Sequence, residues 1–115
     1  MKEFMMLFRN EERTERDFEQ LSPEEMQAEI QKWQDWIGGI AAQDKFVGTN
    51  ALGTQGKIVK ANNVVTDGPY IEMKEMVGGY IIVKAENLDE AVSLADGCPV
   101  LATGGSVEVR DVMVF

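Results

Sequence analysis

The residues able to do chemistry gather in two places. Asp67, Glu72, Lys74 and Glu75 lie close together around an Asp-Gly-Pro turn built from Asp67, Gly68 and Pro69, and Glu108 and Arg110 stand two positions apart near the carboxyl end. A carboxylate whose pKa is raised by burial can serve as general acid or base, which Asp67, Glu72 or Glu108 could do. The same groups can instead form ion pairs that brace the turn against the last strand. This second reading carries more weight, since structural networks also perturb pKa values. Arg110 has a planar fork suited to a carboxylate, so it is expected to meet Asp67, Glu72 or Glu75, or a small anionic ligand.

The missing residue types exclude more than the present ones assert. With 0 His, neither a Ser-His-Asp nor a Cys-His system can be assembled, and no imidazole metal cluster either. Asp67, Glu72 and Glu75 do not follow calcium-loop spacing, so no metal is expected, and nothing implies a cofactor. The single Cys98 is expected at the C-terminal end of a helix, where the dipole disfavours a thiolate, and it reads as structural. Gly104 and Gly105 could cradle a phosphate, but no helix follows them and a turn is preferred. Trp33 and Trp36 read as core aromatics in preference to a cofactor box.

The 115 residues suit one domain, 1–115, with 44% hydrophobic and 27% charged content. No apolar run reaches the roughly 20 residues of a membrane span. The amino terminus lacks the pattern of a signal peptide, and a lone cysteine fits a reducing compartment, so a cytoplasmic protein is expected. Net charge is −9, with scattered lysines and arginines. Without a basic stripe, direct nucleic-acid binding is not expected.

These groups must be positioned by regular elements. Lys2 to Arg9 carries apolar residues on both parities, as a strand covered on both faces does. Asn10 to Gln20 reads as a solvated connection. Ser22 is a candidate N-cap, with Pro23 at the first helical position and Glu25 completing a capping box. Met26, Ile30, Trp33, Ile37 and Ile40 then form one helical stripe ending near Gln43, and Gly38 and Gly39 suggest close packing or early fraying. A weak strand over Phe46 to Leu52 is followed by a hairpin turning at Asn62 and Asn63. Gly78 to Ala85 is another strand apolar on both parities. Asn87 caps a second helix whose inner face is Leu88, Ala91, Val92 and Ala95, stopped by Gly97 and Pro99. The last strand runs from Ser106 to the carboxyl terminus. Its alternation puts Val107 and Val109 on the helix side and Glu108 with Arg110 on the other.

The order predicts an α+β, ferredoxin-like (split βαβ) antiparallel sheet with two helices on one face and an inserted β-hairpin. Its second face needs cover, and a homodimer packing sheet against sheet would supply it.

The segments VTDGPYIEMKEMVGGYIIV, LDEAVSLADGCP and GGSVEVRDV resemble the DGPF-domain branch of the YCII-related family. Matching positions are Asp67, Gly68, Pro69, Glu72, Lys74, Glu75, Gly79, Glu108 and Arg110, whereas Tyr70 replaces a Phe and Asp111 stands where Pro is common. The resemblance implies a dimeric α+β barrel. Members of this branch are uncharacterised or described as transcription-initiation proteins, with extracytoplasmic-function sigma factors as associated protein partners. A His and Asp pair proposed as catalytic in the wider family has no counterpart here. The expected function is that of a dimeric accessory module binding a small ligand or a protein, linked to transcription through a protein partner. The alternative is an enzyme using Asp67 or Glu108 as acid or base on a small molecule.

Overall fold

The computed structural model describes residues 1–10, 21–53, 55–68 and 76–115, with the backbone alone for Asn10, Asp67, Gly68 and Met76. Among the described residues six strands and three α-helices follow in the order β1 (Lys2–Asn10), α1 (Pro23–Ala42), β2 (Phe46–Ala51), β3 (Gly56–Lys60), β4 (Val64–Gly68), β5 (Met76–Ala85), α2 (Leu88–Leu94), α3 (Pro99–Ala102) and β6 (Ser106–Asp111). Four strands form a sheet in the order β2-β5-β1-β6, with every pairing antiparallel. That is the ferredoxin-like strand order, and β3 with β4 forms the inserted hairpin as a separate two-stranded sheet. The expected connection over Asn10 to Gln20 lies outside the described residues.

Local chemistry explains the boundaries. Ser22 Oγ accepts from the Glu25 backbone N–H at 3.1 Å, satisfying one of the N–H groups left over at a helix start, and Pro23 follows it. Asn87 Oδ1 does the same for Glu90 N–H at 2.8 Å. At the hairpin tip Asn62 and Asn63 both adopt positive φ, 66° and 62°, a conformation that asparagine tolerates better than most residues.

The core lies between the sheet and the helices. Phe4, Met6 and Phe8 of β1 and Ile81, Val83 and Ala85 of β5 meet Ile40, Ala91, Leu94 and Val100. Val107 and Val109 pack against this cluster, as the alternation of β6 predicts. Phe8, Trp33 and Trp36 stack edge to face, with centroids 4.9 to 5.9 Å apart. The Trp36 indole N–H donates to the Leu94 carbonyl at 3.2 Å, so the tryptophan pair belongs to the core and ties α1 to α2.

Several details differ from expectation. Gly38 and Gly39 neither fray α1 nor admit a close neighbour, since a Cβ at either would meet nothing within 4 Å. Ile30 is exposed, and the stripe of α1 enters the core only from Trp33 onward, where Phe8 rises to meet it. In α2 the buried side chains are Ala91 and Leu94, followed by Ala95 just past its end, while Leu88 and Val92 are exposed. The i, i+3, i+4 set over 91 to 95 therefore faces the sheet, one step round the helix from the expected stripe. Pro99 does not merely stop α2 but opens the short α3, the residue being suited to a first helical position. The final strand ends at Asp111, because the partner β1 has only Glu3 left to accept from Val112 N–H and nothing pairs beyond it.

Candidate functional site

Glu108 and Arg110 of the last strand occupy the sheet face opposite the helices, since Val107 and Val109 between them pack on the core. In the β1–β6 ladder Glu108 lies opposite Leu7 and Arg110 opposite Met5. Continuing across β1 to β5, Leu7 faces Tyr80 and Met5 faces Ile82. Met5, Leu7, Tyr80 and Ile82 are half-buried, making an apolar strip through the middle of this open face. Asn50 Nδ2 donates to the Tyr80 hydroxyl at 2.8 Å and Thr49 Oγ1 to the Tyr80 carbonyl at 2.8 Å, which locks the β2 edge to the strip.

Glu108 is bound to a cation of the neighbouring strand. Its Oε2 accepts from Arg9 Nη2 at 3.3 Å, with the two side chains 44% and 29% exposed. Arg9 shares its face with Met5 and Leu7, so the pair crosses β1 to β6 diagonally, a partner the sequence reading did not name for Glu108. The signal was available in the parity of β1, which puts Arg9 on the side of Glu108 once the two strands are known to be neighbours.

Arg110 stands apart from that pair. It lines an open cleft of about 440 Å³ at the opposite end of the strands, together with Lys2, Phe4, Leu88, Glu86 and Asp111. Two cations and two carboxylates thus surround an apolar lining, an arrangement able to hold a small molecule with charges of both signs. The expected partners of Arg110, namely Asp67, Glu72 and Glu75, lie outside the described side chains, as do Pro69, Tyr70 and Lys74; Gly68 is described by its backbone only, closing β4.

A second ion pair lies on the helix side. Lys45 Nζ meets Glu90 Oε1 at 2.8 Å and joins the loop after α1 to the first turn of α2. This hydrogen bond, more than any other influence, holds the Glu90 carboxyl below its ordinary value. Cys98 is buried between α2 and α3, and burial pushes its thiol up to about 11. Cys98 also stands at the N-cap of α3 and not in the last turn of a helix, so burial and not the expected dipole effect raises its pKa. Among the described residues no group of three His, Cys, Asp or Glu side chains is placed to hold a metal ion, and no helix is long and apolar enough to cross a membrane.

The YCII-related domain family model matches residues 3–115. An uncharacterised protein of Rhizobium meliloti (strain 1021) is 30% identical over 87 residues, covering 65% of this chain and 70% of that protein.

Proposed function

The chain belongs to the YCII-related family, and from that premise we propose that it is a homodimeric binding module of the DGPF branch which takes a small, carboxylate-bearing ligand in the cleft beside Arg110. The observation that carries this reading is the placing of Lys2 and Arg110 around an apolar-lined cleft, with Glu86 and Asp111 alongside. A guanidinium and an ammonium suit a carboxylate, and the neighbouring acids favour a ligand that also bears an amine. The half-buried strip of Met5, Leu7 and Ile82 supports a second copy over the open face. The sequence TDGPY over Thr66 to Tyr70 and the run Gly78 to Val83 support the DGPF branch. By the association of that branch, the module acts in the cytoplasm on transcription through a protein partner such as an extracytoplasmic-function sigma factor, without touching DNA itself.

Binding is preferred to catalysis because Glu108, one of the two carboxylates considered as a general base, is tied to Arg9 at 3.3 Å and partly solvated. Isothermal titration of the protein with acetate, succinate and L-glutamate tests the ligand class. Saturable binding of at least one, lost in Arg110→Met while the fold persists by circular dichroism, is the expected result. Absence of heat with all three in the unsubstituted protein would remove the cleft as a carboxylate site.

A further inference from the structure

The register of the sheet explains how the cleft beside Arg110 is built. Phe4 of β1 lies opposite Asp111 of β6, and Lys2 lies opposite Ala85 of β5. Phe4 and Ala85 belong to the core, so by alternation Lys2, Phe4, Val109 and Asp111 share the helix-side face at this end of the sheet. Phe4 and Val109 make an apolar floor, and Leu88, which opens α2 and is exposed, makes an apolar wall. Arg110 has the opposite parity. It lines the cleft because β6 is an edge strand of its sheet, leaving the arginine a way round from the open face.

The charges at this cleft are uncommitted. Among the described residues Lys2, Glu86, Arg110 and Asp111 enter no ion pair, whereas Arg9 with Glu108 and Lys45 with Glu90 do. Asn87 Oδ1 is engaged as the cap of α2, so an ammonium group in the cleft has Glu86 and Asp111 to meet. A carboxylate has Lys2 and Arg110. Because Asp111 pairs with Phe4, Lys2 is its diagonal neighbour, at the roughly 7–8 Å typical of such positions. Opposite charges so close together suit a ligand that carries both of its own charges on one carbon.

We propose that this cleft holds a free α-amino acid with an apolar side chain, its carboxylate on Lys2 and Arg110 and its ammonium on Glu86 and Asp111. The side chain then lies on Phe4, Val109 and Leu88, in a volume of about 440 Å³ that falls within the range of small-molecule sites. The proposal rests on the carboxylate-binding reading above and adds two requirements, an amine beside the carboxylate and an apolar group of a few carbons. A residue within a peptide has neither charge, which favours the free amino acid.

Isothermal titration with L-leucine, glycine and isocaproate separates the requirements, since glycine lacks the apolar group and isocaproate is leucine without its amine. L-Leucine is expected to bind roughly tenfold or more tighter than either. In the variant Glu86→Gln/Asp111→Asn its advantage over isocaproate should vanish while isocaproate still binds, which also reports an intact cleft. Binding of isocaproate or acetate, with L-leucine no tighter than isocaproate or glycine, would overturn the amino-acid site and leave the carboxylate cleft standing. An advantage of L-leucine over isocaproate that survives in the double variant would overturn it too. Absence of heat with all of these ligands in the unsubstituted protein would overturn both readings.

Discussion

Gly79 lies directly against the backbone of Asn50: a Cβ placed on the glycine would stand 2.9 Å from the Asn50 carbonyl oxygen and 3.3 Å from the Ala51 Cα. The ladder between β2 and β5 closes at this point, so neither strand can retreat without losing its pairing. The same Cβ would stand 3.5 Å from the Phe8 ring, in ordinary contact with it. The glycine's need here is for space, in a strand conformation that any residue could adopt.

Gly79→Ala is therefore expected to destabilise the protein by about 1–3 kcal/mol, the usual cost of forcing a methyl group into a filled site. Gly78→Ala is the control, since a Cβ there meets nothing within 4 Å. Urea denaturation of both variants checks the contrast. Equal midpoints would contradict the packing account.

The Lys45 and Glu90 pair predicts a pH dependence. Because the Glu90 carboxyl is held below its ordinary value in the folded protein, its contribution is present above the pKa of the unfolded carboxyl and is lost as pH falls through the folded one. Glu90→Gln should thus lower the melting temperature near neutrality and make less difference in acid. Melting curves of both proteins from neutral to acidic pH measure this, and a constant difference throughout would show that the charge is not the cause.

Much of this architecture was legible because it rests on local rules. Ser22 and Asn87 announce their helices by side-chain capping, Asn62 and Asn63 their turn by tolerance of positive φ, and β6 its inner face by alternation. Less was legible wherever a relation depends on which strands become neighbours. Arg9 meets Glu108 across 99 positions of sequence, and Lys2 reaches the cleft of Arg110 only because β1 and β6 run antiparallel. The phase of α2 was misjudged for a similar reason: Leu88 and Leu94 are equally apolar, and only the position of the sheet decides which is buried.

Cys98 offers a separate test at alkaline pH. Burial raises its pKa to about 11, so the unfolded chain releases this proton first and folding stability should decline as pH rises from about 9 to 11. Cys98→Ala should lack that decline, although it loses some packing at every pH. A thiol reagent should label the native protein slowly and the denatured protein at once. Rapid labelling of native protein would contradict the burial.

Arg9 and Glu108 give the last prediction, because their pair lies on the open sheet face beside Leu7 and carries different weight in one copy and in two. In a single copy the side chains are 29% and 44% exposed, and water screens their attraction. Arg9→Met should then cost about 0–1 kcal/mol, within the range of solvated pairs. Under a second copy the abandoned Glu108 carboxylate would be desolvated, and leaving a buried charge without its partner costs about 3–5 kcal/mol. The two situations separate by concentration. Denaturation of Arg9→Met and the unsubstituted protein, each at submicromolar and at high micromolar concentration, should give a small difference when dilute and a larger one when concentrated. The double variant Arg9→Met/Glu108→Gln should recover most of the concentrated loss, since it removes the stranded charge as well as its partner. A difference that stays small at every concentration would mean that this face is not buried by a second copy.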